Sequence, residues 1–447
     1  MISRSGQVQT SPRGSFSFPY GAAALTRQLN EIESKHDSKA KETLSSEMRT
    51  SFRNAFDQLE IPNSLLDSAK AQGGFVLYLS GGGFRGWGYL LMSQSHIQPY
   101  PIPIINGYQV PISQFRNIQH LQTVAANSLT SSNDADSSDK IFRVSSRRAT
   151  QVPAIAFLIS NLLEALPCRI PKIQFCQGGV REGYLFSSHL SPEIRGESPL
   201  VAATAPYAIH TPSIRHFTHL LQSSLPFSVT SNPTNLITPS LLTSLSSLLF
   251  VHTSHSKESA SLSALHFPLT GPLSSLHGIS HPTRAILSLM LYERWSGGGN
   301  SKDPDSLPPP YPAFKQSLEQ ILLDTTTTTT TTPNSNGDLV WWIRYIGRIA
   351  ALIGSIYKSG KFLEDRIKLN ASWISSGAAV GHEKEKDKVL RLQITVIQGE
   401  TEASNVGGAV DKQELLELVK DVEKLGKKKK CWVNGVVGYK VAVDVTN

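Results

Sequence analysis

The residues best suited to chemistry lie in one stretch, Leu79-Ser80-Gly81-Gly82-Gly83-Phe84-Arg85-Gly86. Ser80 offers a hydroxyl, and Arg85 a permanent cation with a planar fork of donors. Gly81, Gly82, Gly83 and Gly86 free the backbone to turn N–H groups toward one point. The natural occupant of such a nest is an anion, above all a phosphate. Ser80, Gly81, Gly82, Gly83, Arg85 and Gly86 are therefore the candidate phosphate- or nucleotide-binding residues. The spacing is neither Gly-x-Gly-x-x-Gly nor a P-loop. On spacing alone, a tight strand-to-helix turn with Arg85 in solvent is the better explanation.

Other constellations carry less. His277 and His281 stand four apart, but Gly278 and Pro282 argue against one helix through both, so solvated loop histidines are expected. Glu182 follows Arg181 and is expected as a helix cap or structural ion partner rather than a ligand contact. No Ser/His/Asp or Cys/His arrangement stands out, and no catalytic or metal-ligating residue is assigned.

The elements that must position the loop follow from the apolar pattern. Phe75 to Leu79 predicts a buried strand running into the glycines. Helices are predicted over Gly21–Ile32, Ser46–Glu60, Ser113–Ala126 and Pro153–Leu166, and a strand over Ile170–Phe175. Strands alternating with helices give an α/β layer. From 187 to 277 the chain is rich in Ser, Thr and Pro and predicts a loose region with short helices. Beyond it come helices at Ser280–Trp295, Trp341–Tyr357 and Lys412–Leu425, and strands at Arg366–Trp373, Val389–Ile397 and Val436–Val445. The predicted organisation is 1–186, 187–277 and 278–447, with disordered insertions at 297–312 and 325–336. The second insertion holds a run of eight threonines, Thr325 to Thr332.

A net charge of +8 and a pI near 9.2 favour anionic ligands. The run Lys427 to Lys430 has few aromatic neighbours and suits a solvated loop better than a nucleic-acid patch. Three scattered cysteines indicate a reducing compartment, which gives a cytoplasmic expectation. Leu339 to Tyr357 is apolar enough to raise a membrane question. Arg344 and Arg348 in its middle argue instead for a buried helix of a soluble domain.

Several segments together resemble one family. They are Ser11-Pro12-Arg13-Gly14-Ser15, Phe18-Pro19-Tyr20-Gly21-Ala22, the Leu79 to Gly86 loop, Pro101 to Gly107, Gly179-Val180-Arg181-Glu182-Gly183, His281 to Ala285 and Trp341 to Ala350. They resemble the fungal retrograde-regulation proteins of the Ppx/GppA (exopolyphosphatase / guanosine-pentaphosphate phosphohydrolase) family. The resemblance implies an actin/hexokinase-like (RNase H-like) fold of two α/β lobes closing on a phosphate-bearing ligand, with a mostly helical C-terminal region and a small α+β end. It implies Mg²⁺-assisted phosphoanhydride hydrolysis for the full-length family. The family's first phosphate loop, catalytic glutamate and Asp-Leu-Gly-Gly-Gly-Ser loop are not found here, so the chain is expected to hold the second lobe and C-terminal region, with no cofactor of its own. Two functions follow as expectations. One is a signalling regulator that binds a nucleotide or polyphosphate and protein partners, but neither nucleic acid nor membrane. The alternative is an exopolyphosphatase-type hydrolase in the full-length chain.

Overall fold

The computed structural model describes residues 7–8, 10–130, 144–231, 236–296, 310–327, 335–374, 389–397, 412–427 and 438–446. The expected insertions fall largely outside these residues, as do Cys431 and most of the lysine run. The chain divides between Glu197 and Ser198 into two compact units.

Unit 1 runs α1 (Ala22–Ser34), α2 (Ser38–Gln58), α3 (Asn63–Ala71), β1 (Val76–Leu79), α4 (Gly82–Ser93), β2 (Gln109–Pro111), α5 (Ile112–Phe115), α6 (Ile118–Thr130), α7 (Ser146–Ala149), α8 (Val152–Ala165), β3 (Lys172–Phe175), α9 (Val180–His189) and α10 (Pro192–Gly196). Helix α2 starts earlier than the pattern predicts, because the Asp37 carboxylate accepts from the Ala40 N–H at 2.9 Å and caps it. Leu25 and Leu29 of α1 and Leu44, Met48 and Phe52 of α2 recur at helical spacing. They bury against Ala154 and Ala165 of α8. The predicted helix at Ser113–Ala126 is split, because α5 ends at Phe115 and α6 begins at Ile118.

The three-stranded sheet has the order β1-β3-β2, with β1 parallel and β2 antiparallel to β3. Its core holds Trp87 and Leu90 of α4, Phe115, Ile159 of α8, and Ile173 and Phe175 of β3. The central strand β3 is buried at both apolar positions, but β1 is not the buried strand that its five apolar residues predict. Val76 is 39% and Tyr78 62% exposed. Strand side chains alternate between faces, so Val76 and Tyr78 share the face left open to solvent while Leu77 and Leu79 pack on the core, and an all-apolar run does not encode which face is covered.

Gly88 lets α4 lie close to the sheet. A Cβ there would stand 2.5 Å from Ile105 Cδ1 and 3.0 Å from Phe175 Cδ1, both in buried side chains. Gly88→Ala should therefore cost about 1–3 kcal/mol through overpacking, as a fall in the urea midpoint of unfolding. An unchanged midpoint would show that the ring and the isoleucine yield freely.

Unit 2 runs α11 (Pro199–Thr204), α12 (Thr211–Ser223), α13 (Phe227–Thr230), α14 (Pro239–Leu248), α15 (Lys257–His266), α16 (His281–Ser296), α17 (Tyr311–Thr327), α18 (Ser335–Ile356), β4 (Ile367–Ile374), β5 (Val389–Val396), α19 (Lys412–Lys427) and β6 (Lys440–Thr446). The stretch 187–277, predicted as a loose region with short helices, does form short helices, α11 to α15, but from Pro199 on they are packed rather than loose. Its leucines, including Leu220, Leu221, Leu241, Leu245 and Leu248, are buried. The prolines sit in first turns, where no N–H is lost. The hydroxyls of Thr204, Ser244, Ser246 and Ser247 bond back to carbonyls one turn earlier.

Helix α18 is long and apolar enough to cross a membrane by length and composition, yet 89% of that window is buried inside the protein. Its arginines have partners. Arg344 reaches Glu319 at 2.7 Å, and Arg348 reaches Glu293 at 3.4 Å. Glu293 also holds Lys315 at 3.2 Å. Arg284 of α16 is fully buried and donates to the carbonyls of Pro268, Leu273 and Leu276 at 2.8, 2.7 and 2.5 Å. His281, expected in a solvated loop, is instead 1% exposed in the first turn of α16. Strands β4-β5-β6 form a second sheet, antiparallel between β4 and β5 and parallel between β5 and β6. The parallel pair is joined through α19, as parallel pairing requires a crossover.

Candidate functional site

Two parallel strands of unit 1 end side by side, and each feeds a glycine turn that opens a helix. The Cys176 N–H donates to the Leu79 carbonyl at 2.8 Å. One residue on, the Ser80 hydroxyl donates to the Gly178 carbonyl. Ser80 thus ties the two turns together and is spent on structure. Gly81 has φ +105°, a conformation that favours glycine, and it caps α4 without a side-chain bond. The loop is shorter than the sequence suggests, because Gly82, Gly83, Arg85 and Gly86 belong to α4 itself. Gly83 serves packing: a Cβ there would meet Ile155 Cδ1 at 2.3 Å. Around Gly81, Gly82 and Gly86 a Cβ would meet nothing within 4 Å.

The second turn ends in α9. The Glu182 carboxylate accepts from the Gly179 N–H at 2.8 Å, the cap expected of it. Gln177 N–H donates to the buried Asn106 side chain at 3.4 Å, which holds the start of this turn against the Asn106-Gly107 bend.

Beside α4 lies an open cleft of about 490 Å³ lined by Arg85, Tyr89, Ile105, Ser145, Arg148 and Gln177. A much smaller pocket next to it is lined by Gly82, Gly83, Gly86, Trp87, Arg148, Gln151, Val152 and Ile155. The six candidate residues therefore separate. Arg85 lines the cleft, Gly82, Gly83 and Gly86 line the small pocket, and Ser80 and Gly81 line neither. The Arg85 Nε is buried and has no hydrogen-bond partner among the described residues. Arg148 lines both spaces and was missed from sequence. Its only signal there is the basic pair Arg147-Arg148 just ahead of a helix, some sixty residues from the glycines.

Two guanidinium groups, an amide and two hydroxyls suit an anion with several oxygen acceptors. They do not suit Mg²⁺, which needs carboxylate or other oxygen ligands, because no carboxylate is among the described residues that line the cleft. Among the described residues, no group of three His, Cys, Asp or Glu could hold a metal ion. Cys168 and Cys176 in unit 1 are free thiols, and burial pushes both thiol pKa values up.

Residues 7–192 match the Ppx/GppA phosphatase family, and residues 198–447 match the RTG2 C-terminal domain. Retrograde regulation protein 2 of Saccharomyces cerevisiae is 33% identical over 374 residues, which cover 83% of this chain and 58% of that protein. The chain thus spans under two thirds of the length of this curated relative. The two matches divide the chain almost where the structure does, and the Ppx/GppA match brings an actin-like fold with it. The second covers more than half of the sequence, so the chain belongs to the retrograde-regulation family marked by the RTG2 C-terminal domain, with a Ppx/GppA phosphatase domain before it.

Proposed function

We propose that this protein is a signalling regulator that binds a phosphate-bearing ligand, a nucleotide or polyphosphate, in the cleft between Arg85 and Arg148. Unit 1 serves as the second of two phosphate-cradling lobes, and unit 2 engages protein partners in the cytoplasm. The observation that carries the reading is the buried Arg85 Nε, unpartnered among the described residues, on a cleft whose described lining adds a second arginine and no carboxylate. Hydrolysis would call for a base to activate water, and the described lining of the cleft supplies none. The reading is therefore binding by this chain rather than turnover.

Titration with sodium tripolyphosphate, followed by amide NMR, tests it. One lobe offers part of a cradle, so a Kd on the order of millimolar is expected. Amide signals of Gly82 to Gly86 and Gln177 should shift. Arg85→Ala removes a charge-assisted contact of about 1.5–3 kcal/mol and should weaken binding at least ten-fold. Amides that stay still, or move equally in Arg85→Ala, would leave the glycines as a turn and nothing more.

A further inference from the structure

The residues that bring Arg148 to the cleft also carry a second pattern. The sequence Arg147-Arg148-Ala149-Thr150 sets two cations three and two residues before a hydroxyl. Arg147, Arg148 and Thr150 are all exposed, and Ala149 alone in this segment is buried. The Thr150 hydroxyl donates to the Arg147 carbonyl at 2.9 Å, an exposed local bond that is easily exchanged for another. Helix α7 is a single turn of four residues. Such a turn opens at little cost and lets the segment extend along another surface. A basic pair at this spacing is what an acidic substrate groove of a basophilic protein kinase recognises by charge complementarity.

We propose that Thr150 is a phosphorylation site and that its phosphate closes the neighbouring anion cleft. In the modification, the terminal phosphoryl group of a nucleoside triphosphate passes to Thr150 Oγ1. The new P–O bond forms as the bond to the leaving diphosphate breaks, and the hydroxyl proton goes to the base of the kinase. The product places a charge of about −1.5 to −2 two residues from Arg148 and one residue before Gln151. Gln151 is the N-cap of α8 and makes no side-chain capping bond to it, so no capping side chain competes with the new anion at that helix start, where Pro153 itself has no N–H to offer. Arg148 and Gln151 both line the small pocket, and Arg148 also lines the cleft. Phosphothreonine at 150 therefore draws Arg148 to itself and fills the region with like charge, so a phosphate-bearing ligand is repelled. The site itself stands on the residues and their exposure, while its consequence rests on the cleft reading proposed above.

The test uses the whole chain, the catalytic subunit of cyclic-AMP-dependent protein kinase, and ATP. Mass spectrometry is expected to find near-stoichiometric phosphate on Thr150, lost in Thr150→Ala and reduced at least ten-fold in Arg147→Ala. The phosphorylated protein should bind sodium tripolyphosphate at least ten-fold more weakly, while unmodified Thr150→Ala binds as the parent does. Phosphorus NMR gives a readout free of any ligand. The second ionisation of phosphothreonine, ordinarily near 6, should be lowered beside Arg148 and restored in Arg148→Gln. No phosphate on Thr150 after prolonged incubation overturns the site. A phosphothreonine whose ionisation ignores Arg148 overturns the closing mechanism. If unmodified protein ignores tripolyphosphate, the cleft reading fails, and the first and third measurements still decide the modification and its pairing.

Discussion

Glu293→Gln is expected to destabilise unit 2 by about 3–5 kcal/mol, the cost of removing one partner from a buried charge pair. The side chain of Glu293 is 4% exposed and faces Lys315 at 3.2 Å and Arg348 at 3.4 Å, whose side chains are each 10% exposed. Glutamine keeps the shape and leaves two buried cations facing a neutral amide. Burial alone would raise the Glu293 pKa, but Lys315, Arg348 and Arg344 together overcome it and hold the carboxyl down at about 2. A carboxyl depressed in the folded state binds its proton more readily once unfolded. Its stabilising contribution is therefore complete above about pH 4.5 and is lost as the pH falls toward 2. Urea unfolding as a function of pH should show this acid-side loss in the parent and a flatter profile in Glu293→Gln. Equal stabilities at pH 7 would mean that solvent or a rearranged partner already compensates these cations.

Arg284→Ala should cost a comparable amount, on the order of 4 kcal/mol. Three carbonyls, those of Pro268, Leu273 and Leu276, lose their charged donor together, and each buried acceptor left unmade costs about 1–3 kcal/mol. Burial pulls the Arg284 pKa to about 10, so the group remains charged at neutral pH. The planar fork reaches all three carbonyls from one side chain, and an ammonium lacks that reach, so Arg284→Lys should recover less than half of the loss. Urea unfolding gives the magnitude. Limited proteolysis should show new cleavage within 268–276 in Arg284→Ala, and an uncleaved segment would mean that its own turns hold it.

What the sequence disclosed, it disclosed through local pattern. Helices α1, α8, α16 and α18 follow from apolar spacing and first-turn prolines, and Glu182 as a cap follows from its place three residues after Gly179. Relations between distant residues stayed hidden. Nothing in the unbroken apolar run Phe75 to Leu79 says that one face of β1 is left open, so Tyr78 was expected inside. Nothing near Arg85 points to Arg148. The packing of the short helices after Pro199 was hidden for a different reason. Ser and Thr lower the apolar average, yet their hydroxyls close onto the helix backbone and leave leucine faces free to bury.

The pairing of β1 with β3 also sets a schedule for synthesis. Val76 lies opposite Lys172, so roughly a hundred residues must be made before the edge strand finds its only described neighbour. At about 5–20 residues per second the nascent strand waits some 5–20 seconds after it is made. During that interval Val76 to Leu79 is an unpaired apolar segment open to any passing chain. Slower translation between codons 80 and 172 would lengthen that wait, and a holdase that covers short apolar strands would find its first hold on this protein there.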